Sequence, residues 1–260
     1  MSKQSRTRTK LLAWAAAAAT IALLLVLWQM VDARTANFLS RPSDVFRDLG
    51  NWVTQPDLLI AIGVTLAEAV VGLVAASIAA IVLAALLNTS RLLADVAEPF
   101  IAATNSIPKL ALAPLFILVF GIGFSAKVNF VVVSVFFIPF YALFFALRTV
   151  DPTIRAHVRI LGANRLHLIR DLYIPAVIGS LTASLRSAVA FALVTAVIAE
   201  LIAATAGIGY QISSAGQNGQ PARMLSGVLV IGIIGFMLDR LLLLVERPFS
   251  RWRVAGRGAA

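Results

Sequence analysis

The chain has 260 residues, of which 60% are hydrophobic and only 13% charged, with a mean hydropathy of +0.92. Soluble domains carry about twice that charged fraction, so a soluble fold is excluded and an integral membrane protein is implied. The net charge of +10 raises nucleic acid as a partner, but the arginines cluster in short segments beside apolar runs and so point to membrane orientation instead.

There is no cysteine, which removes disulfides, thiol nucleophiles and Cys-ligated metal sites. Neither HExxH nor GxSxG occurs, and the two histidines, His157 and His167, do not make a zinc site by themselves. No catalytic residues and no metal ligands are therefore assigned. None of the four lysines follows a glycine, so the phosphate-cradling loop GxxxxGK[ST] is absent too.

Basic residues 1–10 precede an apolar run over 11–31. Val31-Asp32-Ala33 loosely resembles a signal-peptidase site, but the run exceeds the usual apolar region of about 7 to 15 residues and reads as an uncleaved first span. Residues 32–57 read as a polar loop broken by Pro42 and Pro56. A second long run covers 58–88, and further runs lie at about 100–121, 127–147, 176–205 and 224–245. The expected fold is all-α: a polytopic helical bundle of about six membrane spans, since a β-barrel would show short alternating strands.

Four lysines and arginines precede the first run, Arg91 follows the second, five lie in 148–170, and four follow the last. Arg34, Arg41, Arg47, Lys127 and Arg223 fall on the opposite side, so both termini are expected in the cytoplasm. No internal repeat is seen, which weakens folds built from inverted halves.

Within the second run, Gly72, Ala76, Ala80 and Ala84 recur every four residues, a spacing that lets another helix approach closely. The third run is broken by Pro108 and Pro114, which remove backbone donors and are tolerated along a translocation pathway. Ionisable residues within hydrocarbon face a protein interior or a partner. Glu68 and Arg186 lie at similar depth, and a pair between them is one arrangement that this depth allows, the sequence leaving open whether it forms. Lys109, at the broken run, either attracts an anionic solute or extends along a protein cavity. Glu200 lies late in its run, near one mouth.

Residues 149–175 are the exception to this apolar pattern. Asp151-Pro152 reads as a helix start, followed by a stripe of Ile154, Val158 and Leu161 with Arg155 and Arg159 beside it. Gly162 interrupts, and a second short helix with Leu166, Ile169 and Leu172 is expected to end at Ile174-Pro175. Two readings fit: a helix lying on lipid headgroups, or a docking element for a cytoplasmic protein.

The segment resembles the cytoplasmic loop of permease subunits of ATP-binding-cassette importers, whose pattern is EAA, three residues, Gly, and later I-x-L-P. Gly162 matches the glycine, and Leu172-Tyr173-Ile174-Pro175 matches the ending with its aliphatics exchanged. Ala156, His157 and Val158 stand at the EAA positions, so the acidic residue is missing. "FLSRPSDVF", "SIPKLALAPLFILVFGIGFSAKV", "FFIPF", "LRSAVAFALVTAVIAE", "GIGYQI" and "ERPFSRW" extend the resemblance over about residues 38–253, toward the branch that imports nitrate, sulfonates, taurine or thiamine-precursor pyrimidines.

The resemblance implies a multi-pass permease of a bacterial inner membrane, working as a homodimer. Its partners would be cytoplasmic ATPase subunits, which bind the ATP so that this chain holds no cofactor, and a periplasmic or lipid-anchored solute-binding protein. Ile154, Arg155, His157, Val158, Leu161, Gly162, Ile174 and Pro175 would form the ATPase-coupling element. Glu68, Lys109, Arg186 and Glu200 would be pathway or intramembrane charges. The expected layout is a basic N-terminus and first span over 1–31, a periplasmic loop over 32–57, a permease core over 58–246, and a cytoplasmic tail over 247–260. The alternative is a self-sufficient secondary transporter or channel whose charged loop lies on the lipid surface.

Overall fold

A computed structural model describes residues 3–30, 40–150 and 152–250. The Val31-Asp32-Ala33 site, Asp151 and the tail beyond residue 250 lie outside the described residues. The described chain is helical throughout, with no strand. That is the expected outcome where lipid offers no partner for the backbone, because a helix satisfies its N–H and C=O groups internally.

In chain order the helices are α1 (Lys3–Gln29), α2 (Pro42–Val53), α3 (Pro56–Leu87), α4 (Arg91–Asn105), α5 (Ala113–Phe120), α6 (Phe124–Arg148), α7 (Pro152–Ile160), α8 (Arg165–Leu168), α9 (Ile174–Ile202), α10 (Ile208–Gln217) and α11 (Pro221–Ser250). A 3-10 turn, Lys109–Leu112, precedes α5. Five helices are long and apolar enough to cross a membrane, or six if α4 and the segment Lys109–Phe120, bent by 73° at the break, make one span. The break falls at Pro108, as expected from its missing donor. Pro42 and Pro56, by contrast, do not break structure. Each opens a helix, where a missing N–H costs nothing, and the loop expected over 32–57 contains α2.

The chain forms two compact units. One comprises residues up to 59 together with 211–230. In it, Arg223 Nε donates to both Asp48 oxygens at 3.1 and 2.9 Å while its guanidinium lies 4.6 Å from the centre of the Trp52 ring. The Ser226 hydroxyl donates to the Val45 carbonyl at 3.1 Å. Along α1 no residue of the span Leu12–Gln29 is buried, which suits a helix bathed in lipid.

The other unit comprises 60–210 and 231 onward, and its core is a match of small against large. Ala76, Ala80 and Ala84 on α3 are completely buried, and a Cβ on Gly72 would meet Val131 Cγ1 at 2.5 Å. The four-residue row is thus a true packing seam. Ala188, Ala192 and Ala196 form an equivalent buried row on α9. Against these rows α6 supplies the bulk: Val131 and Val135, then Phe140, Leu143 and Phe144. Phe136, Phe140 and Phe144 stack one turn apart, with centroids 5.2 and 5.6 Å apart. Small residues bring the backbones close and the aromatics fill the remaining space, which is how helices associate where no hydrophobic effect drives them together.

Candidate coupling surface and intramembrane polar sites

The charged segment folds as two short helices around a glycine. At the end of α7 the Gly162 N–H donates to the Arg159 carbonyl at 3.0 Å and the Ala163 N–H to the Val158 carbonyl at 3.2 Å, a Schellman cap. Gly162 takes φ +88°, a conformation that favours glycine. Asn164 Oδ1 then accepts the His167 N–H at 3.0 Å and caps α8, a signal readable from the sequence but missed there. The His157 ring donates from Nδ1 to the Thr153 carbonyl at 2.8 Å, a bond within its own helix.

Ile174-Pro175 does not end the second helix. A π-helical turn, Ile169–Tyr173, runs directly into α9, with Pro175 in its first turn. Proline has no N–H to donate and its ring crowds the carbonyl four residues back; a widened turn before it relieves both problems without stopping the helix.

The apolar side chains of this segment are mostly open. Ile154 is 49% exposed, Ile160 82%, Leu161 85% and Leu166 69%, whereas Val158 is half-buried and Leu168 buried. Arg155 lies within α7 and Ile174 at the start of α9. Behind the segment is a cavity of about 1300 Å³ lined by Arg159, Ile160 and Tyr173 on one side and by Asn88, Leu147 and Arg148 on the other. Arg148 is held there by Asp95 at 2.7 Å and Glu98 at 3.1 Å, so a charge counted in the sequence only for orientation also ties α6 to α4.

The intramembrane charges pair differently from the sequence expectation. Glu68 meets Lys127, and Arg186 meets Asp239 through two bonds of 2.6 and 2.9 Å, so the structure gives Glu68 and Arg186 separate partners. Lys127 is not a loop charge at all: it sits inside α6 and is 5% exposed.

Glu68 belongs to a larger buried network. Its carboxyl is close enough to interact with that of Glu200. Glu200 in turn accepts from the Thr65 hydroxyl at 2.8 Å and from the Gly209 N–H at 2.7 Å. Thr65 also accepts the Ile208 N–H at 2.9 Å. Glu68 is fully buried and Glu200 is 1% exposed. The trio contains one more acid than base, and the Thr65 and Gly209 donors offset that excess at Glu200.

The same geometry accounts for "GIGY". Gly207 takes φ +107°, and a Cβ there would overlap the Glu200 carboxylate. A Cβ on Gly209 would lie 2.5 Å from the Val197 carbonyl oxygen and 2.6 Å from Glu200 Cβ. Both glycines are needed so that the backbone can close over Glu200. Lys109, at the broken span, lies 4.6 Å from the centre of the Phe137 ring and borders a second cavity. Among the described residues no group of three or more His, Cys, Asp or Glu is arranged to hold a metal ion.

Comparison with known proteins agrees with this geometry. Residues 72–251 match the family described as binding-protein-dependent transport system inner membrane component. The putative aliphatic sulfonates transport permease SsuC of Bacillus subtilis is 23% identical over 91% of this chain and 87% of its own. The taurine transport system permease TauC of Escherichia coli is 27% identical over 90% and 88%, and the nitrate import permease NrtB of Synechococcus elongatus 24% identical over 88% of each. Among solved structures, an inward-facing MetNI methionine ABC transporter aligns with a TM-score of 0.64 at 16% identity, covering 74% of this chain and 96% of the other. An amino acid ABC transporter with histidines aligns at 0.62 and 19%, covering 79% and 97%.

Proposed function

This chain belongs to the family of binding-protein-dependent transport system inner membrane components, and from that premise we propose that residues 152–173 are the surface through which a cytoplasmic ATPase moves its spans. The chain is the permease subunit of an ATP-binding-cassette importer, a transport component rather than an enzyme. That membership sets aside the self-sufficient transporter or channel.

The observation that carries the proposal is the open apolar ridge of Ile154, Ile160, Leu161 and Leu166 on a capped, glycine-hinged helix pair. Contiguous exposed apolar surface of this kind marks an interaction site, and a helix laid in a groove of a partner protein covers it. Arg159 beside it and the cavity behind it supply a charged rim and room for movement. The missing acidic residue at Ala156 means that recognition here rests on the apolar ridge rather than on a carboxylate.

Mid-span charges favour a second copy. Arg186 and Asp239 are 47% and 35% exposed, and a charged pair that open is costly against lipid. A homodimer that turns this face toward a shared path would remove the cost. The lysine and arginine distribution supports a cytoplasmic position for both termini, and more so with Lys127 removed from the opposite side. That orientation puts residues 152–173 inside and the Glu200 end of α9 toward the solute-binding protein. From the relatives named for aliphatic sulfonates, taurine and nitrate we infer a small solute that bears an oxyanion group.

Reconstitution of the permease with its ATPase and binding protein in liposomes tests the reading. ATP-dependent uptake of labelled taurine, butanesulfonate or nitrate is expected. Uptake by the permease alone, driven by an ion gradient, would overturn it.

A further inference from the structure

We propose that this chain holds one anionic phospholipid of the cytoplasmic leaflet in the cavity behind residues 152–173, its phosphate received by Arg91 and Arg159 and its acyl chains lying against α3 and α9. It rests on the importer reading only for which leaflet faces the cavity.

The cavity is graded in polarity along the spans. Its rim lies where three of them reach the same face: α3 ends at Leu87, α6 ends at Arg148 and α9 begins at Ile174. Asn88, Arg91, Arg148 and Arg159 stand at that rim. Farther in, the walls are Ile81, Ala85, Leu143, Val177 and Ile178, none of them polar. Ile81 lies six residues before the end of α3 and so about 9 Å deeper, and Ile178 lies four residues into α9, about 6 Å deeper. Ile81 is 37% exposed and Ile178 41%, so this wall is not closed by the chain's own packing. A phospholipid has the same gradient in the same direction, charged at the level of the helix ends and apolar below.

The charges at the rim are unevenly answered. Arg148 is committed to Asp95 and Glu98. Arg91 and Arg159 are exposed, and neither side chain has a hydrogen-bond or ion-pair partner among the described residues. No acidic residue is among the described residues that line the cavity. Set against Asp95 and Glu98, the three arginines leave one positive charge, which a single phosphodiester would balance. Guanidinium groups present paired donors to phosphate oxygens, and basic pockets between spans at the cytoplasmic end take up anionic headgroups.

Size and depth separate a lipid from the other occupants. At about 1300 Å³ the space exceeds the roughly 300 to 1,000 Å³ of an ordinary small-molecule site, which argues against a taurine-sized solute. Its apolar depth argues against water, which needs polar partners to stay. An acyl chain is the apolar filler that the membrane supplies, and it yields as helices shift, so an occupied cavity leaves the segment free to move.

Native mass spectrometry tests this on the complex of permease and ATPase, delipidated in detergent and titrated with phosphatidylglycerol or phosphatidylethanolamine of identical acyl chains. One phosphatidylglycerol per permease chain should be retained, at least about fivefold more tightly than phosphatidylethanolamine. Arg91→Gln and Arg159→Gln should each weaken it about fivefold and together about 25-fold, since one arginine near the membrane surface is worth roughly that factor toward an anionic lipid. Arg170→Gln, at an exposed arginine of the same segment outside the cavity, should leave retention unchanged. Glycerol phosphate, the headgroup without its chains, should not displace the lipid.

Equal retention of the two lipids, or a loss in Arg170→Gln as large as in Arg159→Gln, would show a general surface attraction and overturn the proposal. Displacement by glycerol phosphate or butanesulfonate would make the occupant a soluble anion, and lipid held by the permease alone but expelled by the ATPase would give the cavity to that partner; either result also overturns it. None of these results touches the importer reading, which fails only if the wild-type complex with its binding protein shows no ATP-driven uptake.

Discussion

The core of α3, α6 and α9 and the segment 152–173 are built from the same ingredients, aliphatic residues with a few charges, and they dispose of them in opposite ways. In the core the small rows and their central charge are answered within the chain: Ala76 and Ala192 are buried under α6, and Glu68 has Lys127. In the segment, Ile160 and Leu161 are more than four-fifths exposed, and the helices are held in shape by caps rather than by packing. A region completed internally specifies the fold. A region whose apolar surface is left open specifies a partner.

That contrast is broken most severely at Gly207. Alanine there would have to adopt φ +107° and place a methyl group in the space of the Glu200 carboxylate, so Gly207→Ala should cost about 3 kcal/mol or more and leave little folded permease after extraction. Thermal unfolding in detergent reads this directly, and wild-type stability would show that the backbone does not close over Glu200.

Lys127→Met should come next. It leaves buried carboxylates without their cation, a loss of about 3 to 5 kcal/mol, and adding Glu68→Gln should restore much of it. A double-mutant cycle for Glu68 with Lys127 should therefore show strong coupling, while one for Glu68 with Arg186 should be additive. Coupling in the second cycle would return the pairing suggested by the sequence.

Ala192→Leu sharpens the comparison from the packing side. The position is 1% exposed in the row facing α6, and overfilling it should cost about 1 to 3 kcal/mol, read as a lowered unfolding temperature. The smallest effect on stability is expected from Ile154→Ser with Leu161→Ser, within about 0.5 kcal/mol for surface positions. The same double variant should nevertheless lose most solute-stimulated ATP hydrolysis in proteoliposomes, because its stripe no longer fills the partner's groove. Normal coupling would show that the ridge is not the transmission surface.

Much of this was legible in the residues. Apolar runs located the spans to within a few residues, except that the broken span begins with α4 at Arg91 rather than near residue 100. Pro108 marked the break, Gly162 the turn, and the four-residue spacing from Gly72 to Ala84 a seam. The misreadings share a cause: they concern which elements meet, which depends on distant sequence. Lys127 looked like a loop charge because it stands at the edge of its apolar run, yet α6 begins at Phe124 and carries it inside. Asp239 was overlooked as a partner for Arg186 because it lies 53 residues away in another span. The second alanine row, from Ala188 to Ala196, was hidden by the abundance of alanine in the chain and emerges only once α6 is seen to need a small surface there. Prolines 42 and 56 were read as breaks, although the same chemistry suits a first turn.

The absence of cysteine makes the central claim directly testable. Ile160→Cys or Leu161→Cys gives the permease a single thiol on the exposed ridge, and Leu118→Cys gives one at an equally open position, 82% exposed, on α5 within the broken span. In the assembled transporter with a short thiol-reactive crosslinker, the two ridge variants should join to the ATPase in high yield and in an ATP-dependent manner, and the Leu118 variant should not. Ridge thiols that fail to crosslink and react instead with a lipid-soluble reagent would contradict the account and place residues 152–173 on the membrane surface.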